Sequence, residues 1–430
     1  MSVLWPGASA GSDQPSTSTL TRAFEAIGLL LAVGGWAYTF SGIAAGIGHP
    51  SDFSAYYLAG RAHQLGLDYY QRGTIESLGA AAGLNGDFGP FLYPPLFAAV
   101  VSPLAALDYA SARWLWAVMC LGCLLLGLAF AQRAAGLAIP PGWRGPLLAF
   151  VALFPPVADD ALKGQITSVL LLLLAGAWLA HQRGRPTLAG ALVALAASVK
   201  LAPALVLVYF ALRRDYRALA AGAVAGLALI GASIACAGPT QNVAYVTKQV
   251  PFIGLQIASA HNVSLQGTLT RLFATFAPGL QGPLAEAIVL SGAWLLIGAF
   301  LAGCARAVRR RPAAAGLGYG GAIAVLLLAT PSSQAYTLVL TLLPLAALAA
   351  RFAGPGGFDR LAVDLTLVDI LLLSIPPGLL LAASEARGTV LPGGSAALAV
   401  AVSGLPTLGL LLLCALVGRQ MIKSGGVRFG

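Results

Sequence analysis

Six stretches of this chain, roughly residues 23–46, 111–131, 217–237, 287–305, 361–383 and 395–418, are apolar almost from end to end. A helix rises ~1.5 Å per residue, so runs of about 20 residues match the ~30 Å hydrocarbon core of a bilayer. Shorter apolar runs lie at 146–158, 166–180, 187–199, 201–212, 316–330 and 336–350. Only 9% of the 430 residues are charged and 58% are hydrophobic, against about 25% charged in an ordinary soluble domain. So few charges cannot cover a soluble surface of this size, which excludes a soluble enzyme, a nucleic-acid binder and a disordered scaffold. Apolar spans of this length satisfy their backbone groups as helices, so the fold class is an all-α polytopic membrane protein.

The placement of charge orients the spans. The net charge of +10 arises from 25 Lys+Arg against 15 Asp+Glu, and basic residues collect in cytoplasmic loops. Clusters at Arg133/Arg144, Arg183/Arg185, Arg213/Arg214/Arg217, Arg306/Arg309/Arg310/Arg311, Arg351/Arg360 and Arg419/Lys423/Arg428 separate the apolar runs. Placing them all in the cytoplasm requires residues 94–107 to lie along the outer interface, since 14 helical residues rise only ~21 Å. It also requires the short runs 187–199 and 201–212 to meet near Lys200 and Pro203, returning both ends to the cytoplasm. The resulting expectation is about 12 membrane helices with both termini inside. Residues 1–20 form a disordered cytoplasmic tail, and 21–430 form a single membrane domain. Outer loops span about 47–110, with juxtamembrane helices, and 238–285. The first apolar run reads as an anchor, with no basic segment before it and no cleavage site after it. The five cysteines (120, 123, 236, 304 and 414) lie in apolar runs and read as packing residues, neither disulfides nor metal ligands.

Long outer loops in a chain of otherwise tight turns point to function. Asp52 stands immediately after the first apolar run, at the rim of the core, where desolvation adjusts a carboxylate's proton affinity. Two roles are open to it, a helix N-cap and a catalytic carboxylate. Lys200 is a cation inside VALAASVKLAPAL. An intramembrane lysine marks a functional site by default, while a snorkelling side chain is the structural alternative. Arg61, Lys163 and Arg271 are weaker cation candidates. Asp159 and Asp160 form a second acidic site compatible with a divalent cation or with acceptor orientation; no cofactor is otherwise implied. Gln165, His261 and Asn262 offer neutral groups suited to sugar hydroxyls. Tyr56, Tyr57 and Tyr93 suit stacking on a sugar face or an interfacial aromatic belt.

Five segments in order, DFSAYYLAGRA (from Asp52), FLYPPLF (from Phe91), LKGQITSVLLLLLAGAWLAHQRGRPTLAGALVALAASVKLAPAL (from Leu162), HNVSLQGTLTRL (from His261) and TPSSQAYTLVLTLLPLAAL (from Thr330), resemble glycosyltransferase family 87. The resemblance implies a GT-C architecture in a bacterial inner membrane. Its site would face the periplasm, taking a hexose, mannose above all, from a polyprenyl-phosphate donor to an envelope glycan or glycolipid. Asp52 matches the family's proposed general base. A polyprenyl phosphate leaves readily, so one carboxylate suffices and a single displacement inverts the sugar carbon. The late segment departs from the family's Ser-Pro-x-Ser-Trp followed by His: Gln334 stands at the Trp, and Tyr336 near the His, where it becomes a candidate substrate contact. A transporter or lipid-linked glycan flippase of 12 helices is the alternative from another class. Its ionisable residues belong near the midplane and its outer loops should be short, whereas here the acidic residues gather in the outer loops.

Overall fold

The computed structural model describes residues 18–49, 51–84, 86, 88–255, 257, 259, 261–276, 283–310, 314–354, 356–376 and 393–423. All regular structure among them is helical, apart from one isolated antiparallel bridge between Asn262 and Gln334. Six helices are individually long and apolar enough to cross a membrane: Thr19–Ala45, Tyr109–Ala135, Tyr216–Gly254, Leu290–Arg310, Ala335–Ala353 and Leu398–Lys423. Taking the adjoining helices Arg144–Leu153 and Pro155–Lys163 as one span makes seven. The protein is a polytopic membrane protein.

The described residues among 1–38, from 18 on, and residues 139–153 form one compact unit. Within it the backbone around Gly28 meets Gly145 and Pro146 so closely that neither glycine has room for a Cβ. Small residues at such a crossing let two apolar helices approach. Ala32, Ala149 and Ala152 pack there with Trp36 and Leu148.

The described residues among 39–138 and 154–430 form the second unit. Its helices divide by exposure. Every residue from Leu317 to Ala329 is buried, so the short helix Ala315–Ala329 is a central one. By contrast Val224, Leu227 and Ile230 on the helix Tyr216–Ala244 are 68%, 70% and 58% exposed, a face suited to lipid. That helix meets Pro186–Val199 where Gly190 lies against the backbone of Ala218 and Gly222, again with no room for a Cβ.

Three boundaries differ in detail from the sequence reading. Residues 94–107 form two short pieces, the α-helix Pro95–Val101 and the 3-10 helix Ser102–Ala106, neither of spanning length. Helical structure runs past residue 238, where an outer loop was expected, to Leu255. It continues across a break at Gly238 (φ 78°, ψ 161°), because Pro239, lacking an N–H, suits the first turn of a resumed helix as well as it ends one. The tail expected over 1–20 lies outside the described residues up to 17, and a helix already begins at Thr19. Parts of the second outer loop (277–282) and of the run 361–383 (377–383) also lie outside them.

The segment expected as the first outer loop folds into the helices Asp52–Gln64, Arg72–Ala81 and Pro95–Val101 around an aromatic core. Phe53, Tyr56, Tyr69, Phe91, Tyr93, Phe97 and Trp116 are buried together there with Ile166. Edge-to-face pairs such as Tyr56–Tyr93 (4.8 Å between centroids) and Tyr56–Phe97 (5.2 Å) knit the loop to itself. This packing makes the loop a rigid platform for its first residue, Asp52.

Candidate active site

Asp52 is the first residue of the helix Asp52–Gln64; the N-cap position, with extended backbone, belongs to Ser51. Asp52 therefore does not occupy the capping position, and Ser51 there makes no side-chain capping hydrogen bond. The Asp52 carboxylate accepts a hydrogen bond from Gln165 Nε2 at 2.6 Å, across 113 residues of sequence. The amide oxygen of Gln165 accepts from Tyr56 and Tyr93, each at 2.9 Å, and the two phenols lie 2.6 Å apart. Burial pushes both phenols above the usual tyrosine range, so they remain protonated donors.

Gln165 is held by the turn that precedes it. Gly164 ends the helix Pro155–Lys163 at φ 68°, and a Cβ there would collide with Cβ of Phe53, so only glycine fits. The Gly164 carbonyl accepts from Trp116 Nε1 at 2.8 Å, and Arg113 donates to the carbonyls of Ala161 (2.6 Å) and Leu162 (3.0 Å). Arg113 thus satisfies the open carbonyls of that helix end. The sequence reading missed Arg113 and Trp116; the polar arginine opening an otherwise apolar run was the available signal.

The two acidic neighbours diverge. Asp160 is 2% exposed, and its oxygens accept from Thr167 N (3.2 Å) and Ser168 Oγ (2.8 Å), at the N-terminus of the helix Thr167–Gln182. A carboxylate there satisfies open N–H groups and complements the helix dipole. Asp159 instead pairs with Lys163 at 3.1 Å. Each carboxylate is thus committed to a different partner.

Two ammonium groups converge on one ring. Lys200 Nζ lies 5.2 Å and Lys163 Nζ 5.4 Å from the ring centroid of Tyr336. Lys200 sits where the helix Pro186–Val199 stops, in extended backbone before the 3-10 turn Ala202–Ala204 and the helix Leu205–Leu212. Pro203 cannot continue a helix from the preceding turn, which accounts for the break. Lys200 has no acidic side chain within ion-pair distance among the described residues. Asp52 nonetheless acts electrostatically on Lys200, as it does on Tyr56, Tyr93 and Tyr336. Asp52, Gln165, Tyr56, Tyr93, Lys200 and Tyr336 therefore form one neighbourhood.

Other sequence candidates have structural partners. Asn262 is fully buried: its amide donates to the carbonyls of Ile257 (2.9 Å) and Pro331 (2.6 Å) and accepts from Ser264 N (3.0 Å) and Ser333 N (3.2 Å). It clasps the HNVS segment to the segment that carries Tyr336. Arg271 braces the same clasp by donating to the carbonyls of Asn262 (2.8 Å) and Ser259 (2.6 Å). His261 is exposed beside it. Tyr57 is spent on the Leu107 carbonyl at 2.8 Å, and exposed Arg61 on Gln64.

Residues 91–331, more than half of the chain, match the model of glycosyltransferase family 87. The match begins after Asp52, so it is silent on that residue. Among curated proteins, the chain is 33% identical over 209 residues to a polyprenol-phosphate-mannose-dependent alpha-(1-2)-phosphatidylinositol pentamannoside mannosyltransferase of Mycobacterium tuberculosis, covering 47% of this chain and 48% of that one. It is 31% identical over 219 residues to the protein of that description in Mycolicibacterium smegmatis, covering 49% and 52%. A phosphatidylinositol mannoside mannosyltransferase of Mycobacterium tuberculosis is 33% identical over 193 residues, covering 41% and 44%. The chain spans about half the length of the curated relatives it matches. The family match, more than half of the chain long and carrying Tyr93, Asp159, Asp160, Lys163, Gln165, Lys200 and Asn262, shows that this chain belongs to glycosyltransferase family 87.

Proposed function

We propose that the protein transfers a hexose, mannose by the analogy of its relatives, from a polyprenyl-phosphate donor to an envelope glycan or glycolipid. The observation that carries the reading is the juxtaposition of one carboxylate, Asp52, with two ammonium groups, Lys163 and Lys200, gathered at Tyr336. Asp52 takes the proton of the acceptor hydroxyl as that oxygen attacks the anomeric carbon. The bond from that carbon to the phosphate oxygen breaks, and the leaving polyprenyl phosphate gains one negative charge. Lys200, with no carboxylate at ion-pair distance among the described residues, meets that charge; Lys163, already paired with Asp159, contributes less. A single displacement of this kind inverts the anomeric configuration.

The membrane arrangement follows from the same reading. The six or seven full-length spans, joined by Thr167–Gln182, the broken pair around Lys200, Ala315–Ala329 and the run from Arg360, complete about twelve membrane helices in a bacterial inner membrane. Both termini and the arginine loops then lie in the cytoplasm, and Asp52 faces the periplasm. An Arg183→Cys protein in intact cells is expected to escape an impermeant thiol reagent and to react once the membrane is opened. Labelling in intact cells would invert this topology.

The donor class is tested by reconstituting the purified protein with a phosphatidylinositol mannoside acceptor. Radiolabelled polyprenyl-phosphate mannose and radiolabelled nucleotide-mannose are supplied in separate reactions. Label is expected to reach glycolipid from the lipid-linked donor alone; transfer from the nucleotide sugar would overturn the reading.

A further inference from the structure

The sequence marks Gln165 as a sugar-binding amide, but its side chain is turned to another task. We infer that Gln165 is a positioning residue, which holds and aims the Asp52 carboxylate, and that Tyr56 and Tyr93 hold its amide in place. The inference rests on Asp52 being the base.

A glutamine amide has an acceptor end and a donor end, and a carboxylate can accept only from the donor end. Both phenols lie 2.9 Å from the oxygen of Gln165 and 2.6 Å from each other, their two protons shared among these contacts, and the nitrogen of Gln165 is the end turned to Asp52, at 2.6 Å. Were the amide reversed, its oxygen would face the carboxylate, two acceptors with no proton between them. Tyr56, Tyr93 and Gln165 are 1%, 7% and 4% exposed, so water does not compete for the arrangement.

The consequence for Asp52 is directional. An N–H donated to a carboxylate favours its charged form, the form that accepts a proton. It engages Oδ2 and leaves Oδ1 without a hydrogen bond among the described residues. Oδ1 is then the oxygen presented to the acceptor hydroxyl. The titratable groups on which Asp52 acts are Lys200, Tyr56, Tyr93 and Tyr336. None of these is replaced when Gln165 alone is changed.

The test is the pH dependence of sugar transfer from labelled polyprenyl-phosphate mannose by the full chain in liposomes. In Gln165→Leu the acid limb of the rate profile is expected to move up by about one to two pH units, the worth of a hydrogen bond to a charged group. The plateau rate should fall, while the KM for donor stays within about twofold, since Gln165 acts through Asp52 and not on the phosphate. The double variant Tyr56→Phe, Tyr93→Phe frees the amide to reverse and should move the same limb in the same direction, by less. It decides the matter should Gln165→Leu not fold. A profile that keeps the wild-type acid limb, in whichever variant folds, overturns the inference. Asp52→Asn, run alongside, separates the two failures. If it is inactive while the Gln165 variant keeps the wild-type profile, only the positioning role falls; if it is active, the assignment of Asp52 as base falls.

Discussion

Replacing Lys200 with methionine should cut sugar transfer by about two to three orders of magnitude, with little change in folded yield. Methionine keeps the length and apolar stem of the lysine, so the contacts along the chain survive and only the charge is removed. Lys200 lies at a helix break with no carboxylate within ion-pair distance among the described residues, so its removal breaks no ion pair there. A structural ion pair would behave differently, since loss of one partner strands the other. The loss should appear in both donor affinity and turnover, because the phosphate is charged when bound and more charged when it leaves. Lys163→Met is the internal comparison. Its ammonium lies at nearly the same distance from the Tyr336 ring but is paired with Asp159 at 3.1 Å, so its removal should cost less than that of Lys200. Donor titration and single-turnover rates on the same preparation measure both. Unchanged affinity and turnover in Lys200→Met would reduce the residue to a snorkelling side chain.

The reach of the sequence is clearest at Lys200 itself. A lone cation and Pro203 inside an apolar run mark a helix break, and the helix stops at Val199. Both signals are local, and local chemistry reads directly from the chain. Partners of a polar side chain do not. Gln165 looks like a sugar ligand because an amide near an outer turn suits hydroxyls. Only the fold brings Asp52 and Tyr93 to its two ends, across 113 and 72 residues. Asn262 misleads in the same way, since nothing local shows that four backbone groups saturate it. Asp159 and Asp160 are adjacent in sequence and read as one site, yet helical geometry turns successive side chains to different faces, one to Lys163 and one to the next helix. Tyr336 was singled out for standing near a family histidine; its role as the ring shared by two ammonium groups depends on the clasp between HNVS and the segment that carries it.

Asp52→Asn should fold, insert and bind the lipid donor as the wild type does, yet lose at least about two orders of magnitude in transfer, the usual worth of a positioned base. Asparagine keeps the size of the side chain, and its oxygen can still accept from Gln165 Nε2, so the chain of hydrogen bonds through Tyr56 and Tyr93 is preserved. The cost to folding is the favourable placement of a negative charge in the first turn of Asp52–Gln64, about 0.3–1 kcal/mol. What asparagine cannot do is take a proton from the acceptor hydroxyl. Asp52→Glu should recover little, because an added methylene moves the carboxylate farther than a reacting geometry tolerates and breaks its register with Gln165. The most direct measurement is therefore the single-turnover rate of sugar transfer by Asp52→Asn at saturating labelled polyprenyl-phosphate mannose, with donor binding determined on the same sample. Normal binding with transfer reduced about a hundredfold or more is the expected result; transfer near the wild-type rate would contradict the assignment and place the base on another residue.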